Sequence, residues 1–150
     1  MRRLAILVGL VATFALAGGV LVASPAVATP PVPVQFSGPI GSDGTGTFTA
    51  ESPLCPTGTV DTSLDKVVGF HSGKQIQILV IHGFTCDDGS GTFQVLLQVH
   101  LVFDPFSDDF TWTVLSGTGA YATLHGTGSG FGVPTQTGIF DTYTGDVHFD

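Results

Sequence analysis

Hydrophobic and polar side chains alternate with a period of two along much of the chain. The clearest stretch is Thr92–Phe103, where an apolar residue occupies every second position. Successive side chains of a strand point to opposite faces, so this pattern predicts a strand with one fully buried face. The side chains predicted on that face are Phe93, Val95, Leu97, Val99, Leu101 and Phe103.

Weaker alternation predicts further strands on either side of this one. Helix formers are scarce after the first thirty residues, and Thr, Val, Phe and Gly dominate, as is typical of pleated strands and tight turns. We predict about eight strands in an all-β domain, arranged as an antiparallel barrel, with a β-sandwich as the alternative. The barrel is favoured because closure removes exposed strand edges. The other segments that read as strands include Gly44–Glu51, Lys74–Phe84, Phe110–Val114 and Gly138–Phe149.

Turn residues separate these segments. Asp104–Asp109 reads as one turn, and the glycines between Gly117 and Gly132 read as turn positions that need a positive φ. Gly117, Gly119 and Ala122 also match a loose dinucleotide-binding spacing, but that mechanism needs a helix N-terminus, which the following glycines disfavour. No cofactor is predicted.

The first 28 residues have the order of features that marks a secretory signal. Arg2 and Arg3 precede an apolar run over residues 4–22, and Ala26-Val27-Ala28 has the small-x-small pattern of a cleavage site. An uncleaved membrane anchor is the rival interpretation, since the run is long enough to span a bilayer. We predict a signal peptide over residues 1–28, an extracellular protein and no stable membrane anchor after cleavage.

The remaining chain is predicted to be a single acidic domain, with a proline-rich tether at residues 29–34 and a β-barrel at residues 35–150. Lys66 and Lys74 are the two basic residues after position 28, against twelve acidic ones, which gives a net charge of −10. Nucleic-acid binding requires a basic surface, so this charge excludes a nucleic-acid partner.

Cys55 and Cys86 are the two cysteines of the chain, and in an oxidising compartment they predict one disulfide. Closing a loop of this length stabilises a fold by about 3–4 kcal/mol in the chain-entropy model. A reactive thiol or a metal site is the alternative, but the pair lacks the CxxC spacing of such sites. The five histidines have no metal-binding spacing, and no metal is predicted apart from a calcium candidate at Asp87 and Asp88, which suit a hairpin turn equally well.

The segment from Trp112 to Gly128, WTVLSGTGAYATLHGTG, together with Phe84–Phe93 and the ending Asp141–Phe149, resembles allene oxide cyclase-like and dirigent-like barrels, in particular secreted bacterial members. The resemblance covers most of residues 29–150. It implies a calycin-like, eight-stranded antiparallel barrel with an apolar lumen or mouth. Dirigent-like proteins use arginine and acidic groups in that cavity, whereas residues 29–150 contain no arginine. Allene oxide cyclases use a glutamate near an early strand, and Glu51 is the one glutamate here.

Three functions remain open from the sequence. The leading hypothesis is a non-catalytic secreted barrel that binds a small apolar ligand or a protein partner, and the candidate lumen residues are Phe93, Val95, Leu97 and Trp112. A cyclase or isomerase on the same scaffold would need a carboxylate with a raised pKa inside an apolar cavity. The third hypothesis is a structural, surface-associated protein. For the cyclase or isomerase, the candidate catalytic residues are Glu51, Asp141, Tyr121 and Tyr143.

Overall fold

Eight strands account for most of the chain in the computed structural model, which describes residues 29–71 and 73–150. The predicted signal peptide lies outside the described residues. One short 3-10 helix, Gly119–Tyr121, interrupts the strands. Among the described residues, no helix is long and apolar enough to cross a bilayer. The strands are β1 (Val32–Gly41), β2 (Thr45–Ala50), β3 (Thr57–His71), β4 (Gln75–Cys86), β5 (Thr92–Phe103), β6 (Phe106–Gly117), β7 (Leu124–Pro134) and β8 (Gly138–Phe149).

Every strand pairs antiparallel with the next one along the chain, and β1 pairs with β8, so that one sheet closes into a barrel. Closure leaves no strand without a neighbour on either side over the middle of the barrel. The predicted all-β class and the count of about eight antiparallel strands are confirmed. The alternating pattern of Thr92–Phe103 is strand β5, with the bounds that the sequence predicts.

Consecutive turns lie at opposite ends of the barrel because the strands alternate in direction. The disulfide end carries the β2–β3 loop, the β4–β5 turn and the 3-10 helix. Here Cys55 and Cys86 form the predicted disulfide, with both cysteines buried. The other end, which we call the open end, carries the β1–β2, β3–β4, β5–β6 and β7–β8 turns.

Aromatic rings fill the interior at the disulfide end. Phe36 stacks on Tyr143 with 4.3 Å between ring centroids, and Phe84 stacks on Phe93 at 4.8 Å. Stacked and edge-to-face aromatic pairs add to the free energy gained by burying their surface. The predicted lumen residues Phe93, Val95, Leu97 and Trp112 are all inside the barrel, each at most 1% exposed.

Strand β7 occupies a stretch that the sequence predicts to consist of turns. Gly126, Gly128, Gly130 and Gly132 lie within it, and none of the four has a positive φ. They are needed for close packing: a Cβ on Gly130 would lie only 2.3 Å from Cε2 of Phe110. The prediction that these glycines provide left-handed turn conformations is therefore wrong, and only Gly119 of this segment has a positive φ, +59°.

Two predicted irregular segments are shorter in the structure. The tether over residues 29–34 gives way to β1 at Val32, since Val32 and Pro33 already pair with β8. Proline is tolerated here because the pairing with β2 extends only to Phe36, so that among the described residues one side of this part of β1 has no strand partner. At the other segment, Asp104 and Pro105 form the whole β5–β6 turn, and β6 begins at Phe106.

Candidate functional site

The open half of the barrel contains a cavity of about 290 Å³. The aromatic core ends below it, and the β1–β2 turn lies at its mouth. Side chains on inward-facing positions of β4 and β5 make its apolar wall, whereas β6 and β8 contribute carboxylates. The lining thus combines an apolar surface with a few polar groups, as small-molecule sites do. Its apolar side chains are Ile40, Ile78, Val80, Leu97, Val99, Phe110 and Ile139.

Three buried polar side chains form a hydrogen-bonded row at the base of this cavity. The Tyr143 hydroxyl donates to Oδ2 of Asp141 at 3.1 Å and lies 2.7 Å from Nδ1 of His82. His82 Nδ1 and Asp141 Oδ2 are 4.0 Å apart. Asp141 and Tyr143 share the inward face of β8, and His82 lies on the inward face of β4 across the barrel. Each of the three is at most 5% exposed.

The ionised form of Asp141 sets the form of the histidine. The Tyr143 hydroxyl has one proton, which it gives to the ionised carboxylate of Asp141, and in that state the bond with His82 requires Nδ1–H to be the donor. The neutral ring then carries no proton on Nε2. No hydrogen bond among the described residues uses that nitrogen, and His82 lines the cavity. When Asp141 is ionised, Nε2 is therefore a free hydrogen-bond acceptor at the base of the cavity.

Burial shifts the pKa of each group in this row toward its neutral form. The pKa of Asp141 rises to about 7, chiefly through desolvation, although the bond from Tyr143 opposes the shift. Desolvation lowers the pKa of His82 to about 4. The pKa of Tyr143 lies well above its ordinary value because of burial and the neighbouring Asp141 charge. At neutral pH the row contains a neutral imidazole, a neutral phenol and a carboxyl group close to its titration midpoint.

A second carboxylate, that of Asp108 on β6, lies beside Asp141. A Cβ on Gly132 would lie 2.9 Å from Asp108 Oδ2 and 2.9 Å from Asp141 Oδ1, so glycine leaves the space that the two carboxylates occupy. Desolvation raises the pKa of Asp108, with a further contribution from Asp109. The negative charge of Asp108 in turn contributes to the raised pKa of Asp141.

The four predicted catalytic candidates divide between the two ends of the barrel. Asp141 lines the cavity, and Tyr143 lies next to it on the same strand face, bonded to Asp141. Glu51 is exposed in the β2–β3 loop at the disulfide end, and Tyr121 packs there against Phe93 with 5.5 Å between centroids. Neither Glu51 nor Tyr121 lines the cavity. Glu51 and Tyr121 therefore lie at the opposite end of the barrel from the buried polar row, and Glu51 is not inside an apolar cavity.

The carboxylates of Asp87 and Asp88 hold the β4–β5 region in place. Asp87 Oδ2 accepts from the Thr57 hydroxyl at 2.9 Å, and Asp88 Oδ1 accepts from the Ser90 amide at 2.9 Å. Hydrogen bonding from Ser90 lowers the pKa of Asp88. Over residues 29–71 and 73–150, no three His, Cys, Asp or Glu side chains come together as a metal site. The calcium candidate stays a prediction to which the geometry adds no further ligand.

Sequence reasoning did not single out His82 or Asp108 as site residues. The signal was present in both strands: His82 is two residues from Phe84 on the face opposite Gln75 and Gln77, and Asp108 is two residues from Phe110. A polar residue in phase with a buried apolar face is either partnered or functional. Because Asp104–Asp109 is predicted to be a turn, the alternation of Asp108 with Phe110 on one strand is not recognised.

No protein-family model matches the chain, and no curated protein or solved structure is significantly similar to it. The resemblance to allene oxide cyclase-like and dirigent-like barrels therefore stays a prediction. The function proposed for this chain rests on the geometry of its site.

Proposed function

We propose that this protein binds a small, largely apolar molecule carrying one polar group in the cavity at the open end of the barrel. The observation that supports the proposal is the buried His82–Tyr143–Asp141 row at the base of an apolar-walled cavity. A structural barrel gains nothing from such a row, because burying polar groups costs free energy that an apolar core would not lose.

The size and lining of the cavity indicate the kind of ligand. About 290 Å³ is at the lower end of small-molecule sites. Ile78, Val80 and Val99 would contact an apolar ring, and the polar row would orient a hydroxyl or amino group. The apolar contacts would supply affinity, and the row would supply orientation and specificity.

Equilibrium dialysis with 2-naphthalenemethanol, a neutral bicyclic alcohol, tests this proposal on protein purified after expression of the full chain. We expect saturable binding of one molecule per chain. Ile139→Trp fills the cavity and should abolish binding, whereas Leu115→Trp places the same ring on the exposed outer surface of β6 and should not. Equal binding by both variants, or no binding by the wild type, would contradict the proposal.

A second function, proton transfer in an isomerase or cyclase, is favoured by one observation. The pKa of Asp141 is about 7, so the group can accept or donate a proton near neutral pH. Tyr143 donates to its Oδ2, which orients the carboxylate and leaves Oδ1 on the side of Gly132 and Asp108. Asp141 would be the base, and Tyr143 a positioning residue.

The probe 5-nitrobenzisoxazole tests for such a base. Removal of its carbon-bound proton breaks the C–H and N–O bonds and forms a nitrile and a coloured phenolate, so no other reactant is needed. If Asp141 takes this proton, the rate should rise with pH through about 7 and be lost in Asp141→Asn. Asp146→Asn, at an exposed position of β8, should keep the rate. A wild-type rate equal to that of Asp141→Asn would reject this function.

We further propose that the protein is secreted. The buried disulfide supports an oxidising compartment, since disulfides are rare in the reducing cytosol. Expression of the full chain should yield a product in the medium whose N-terminus is Thr29. Deletion of residues 1–28 should retain the product in the cytosol, and recovery of uncleaved full-length chain in the membrane fraction would instead indicate an anchor.

A further inference from the structure

Four strands extend beyond the closed part of the barrel at the open end. The last pair between β2 and β3 is Thr45 with Asp61, and the last pair between β6 and β7 is Asp109 with Phe131. Beyond these points, and within the part of the chain that the structure describes, β3, β4, β5 and β6 pair only with one another, up to the turns that join them. The cavity therefore continues on one side into a projecting four-stranded sheet.

The face of this projection that continues the cavity wall is largely apolar, and it carries two carboxylates, those of Asp65 and Asp108. Residues directly opposite one another on neighbouring strands share a face of the sheet. Val80 and Leu97 of the wall are paired, as are Ile78 and Val99, and Ile76 with Leu101 comes next on the same face. We call this continuation the apolar lip. Its side chains are Val67, Phe70, Ile76, Leu101, Phe103 and Phe106.

Three phenylalanine side chains of the apolar lip are largely exposed. Phe70 is 77% exposed, Phe103 52% and Phe106 49%. Apolar surface of this kind next to a cavity with buried polar groups favours a ligand that is longer than the cavity, with its apolar body on the lip.

The polar groups at the base of the cavity all accept hydrogen bonds. When Asp141 is ionised, His82 Nε2 is an unprotonated acceptor, and Asp108 and Asp141 offer carboxylate oxygens that both approach the space above Gly132. Asp65 adds a third carboxylate to the lining, and within residues 29–71 and 73–150 no lysine lines the cavity. An ammonium group has three donors and no acceptor, which complements this set, whereas a carboxylate would be repelled.

We propose that the natural ligand is a cationic amphiphile, an amine on an apolar ring or chain, whose ammonium group lies between Asp108, Asp141 and His82 Nε2 and whose apolar body rests on the lip. This inference rests on the proposed ligand-binding function and specifies the chemical class of its ligand. Binding would draw Asp141 into its charged form, so the complex would form with release of a proton near neutral pH.

Three probes that share one ring test the inference on protein purified from cells expressing the full chain: 2-naphthylmethylamine, 2-naphthalenemethanol and 2-naphthoate. Titration calorimetry at pH 7.5 should show the amine binding about 10- to 100-fold more tightly than the alcohol, and no saturable binding of the naphthoate. Affinity for the amine should rise from pH 6 to pH 8, while affinity for the alcohol changes little.

Variants assign the two parts of the site. Asp108→Asn should reduce the preference for the amine over the alcohol to less than threefold. Phe70→Ala should weaken both probes by a common factor of about three to ten. Val68→Ala is the matched control, because Val68 lies on the same strand next to the outer-facing Gln77 and Gln98, and it should change neither affinity.

The outcomes separate this inference from the function on which it rests. Binding of the alcohol with equal or weaker binding of the amine would overturn the cationic class and leave the ligand-binding function intact. Binding of none of the three probes would overturn both. Unchanged affinities in Phe70→Ala would remove the lip from the site.

Discussion

Replacing either Asp141 or His82 should change how the stability of the fold depends on pH, with opposite signs for the two residues. Asp141→Asn keeps an acceptor for the Tyr143 hydroxyl, and His82→Gln keeps a donor. Both substitutions remove a buried titratable group while nearly preserving shape. Any change in the slope of stability against pH then reports on the group removed.

The sign depends on which state binds the proton. The pKa of Asp141 rises from 3.8 unfolded to about 7 folded, so its contribution to stability is complete below 3.8 and is lost as pH rises to 7. The pKa of His82 falls from 6.5 to about 4, so its contribution is complete above 6.5 and is lost as pH falls to 4. Between pH 4 and 6.5 the two effects oppose each other in the wild type.

The magnitudes come from the two shifts, at about 1.4 kcal/mol per pKa unit. Relative to the wild type, Asp141→Asn should gain about 3 kcal/mol of unfolding free energy between pH 4 and pH 7. His82→Gln should lose about 3 kcal/mol relative to the wild type between pH 4 and pH 6.5. Subtracting the wild-type curve removes the contributions of groups that all the variants share.

Urea denaturation of the oxidised proteins at half-unit steps of pH, followed by Trp112 fluorescence, measures both differences. Asp146→Asn, at an exposed position of β8, is the control and should follow the wild type. An Asp141→Asn curve parallel to the wild type from pH 4 to pH 8 would mean that this carboxyl group ionises freely. Asp141 would then not be buried in the folded protein, and the proposed role of Asp141 in proton transfer would be rejected.

Three further predictions concern the scaffold. Replacing both Cys55 and Cys86 with Ser should lower the unfolding free energy, measured by urea titration, by about 3–4 kcal/mol. The value should then equal that of the reduced wild-type protein. An unchanged value would show that the disulfide does not constrain the unfolded chain. Gly130→Ala should lower the unfolding free energy by about 1–3 kcal/mol, because its Cβ would overlap the Phe110 ring. Gly69→Ala is the control: its Cβ would meet the side chain of Gln77 at 3.3 Å, and the unfolding free energy should fall by less than about 1 kcal/mol. Equal losses in the two variants would contradict the packing described for β7. Trp112, the single tryptophan, is 1% exposed, so its emission should resist acrylamide quenching in the folded protein, and quenching equal to that of the unfolded chain would place the ring in water.

The parts of the fold that could be predicted are those governed by local alternation. Strand β5 is an example: one face is buried along the barrel, and its period-two pattern gives both its bounds and its inward side. Strand β7 fails the same reasoning because its inward side chains are replaced by glycine. Gly130 and Gly132 leave room for groups on other strands, and that requirement is invisible in β7 itself.

The candidate site could be predicted only in part for a related reason. Asp141 and Tyr143 are two residues apart on one strand, so the sequence alone places them on one face. His82 is 61 residues away from Tyr143, and it joins them only because barrel closure brings the inward faces of β4 and β8 together. Alternation predicts which face a residue takes, but not which distant residue shares its depth in the barrel.

The two ends of the barrel differ in a way that links stability to function. Keeping Asp141 buried costs about 4 kcal/mol at neutral pH by the shift in its pKa, and the disulfide at the opposite end contributes about 3–4 kcal/mol in the chain-entropy model. The disulfide and the aromatic core thus offset the unfolding free energy that is lost by burying Asp141 at the open end. A carboxylate that destabilises the fold, lies beside a second carboxylate and is ordered by a tyrosine has no structural advantage over an apolar residue of the same size. Its presence at the base of a cavity is the reason why we propose that a ligand enters that cavity.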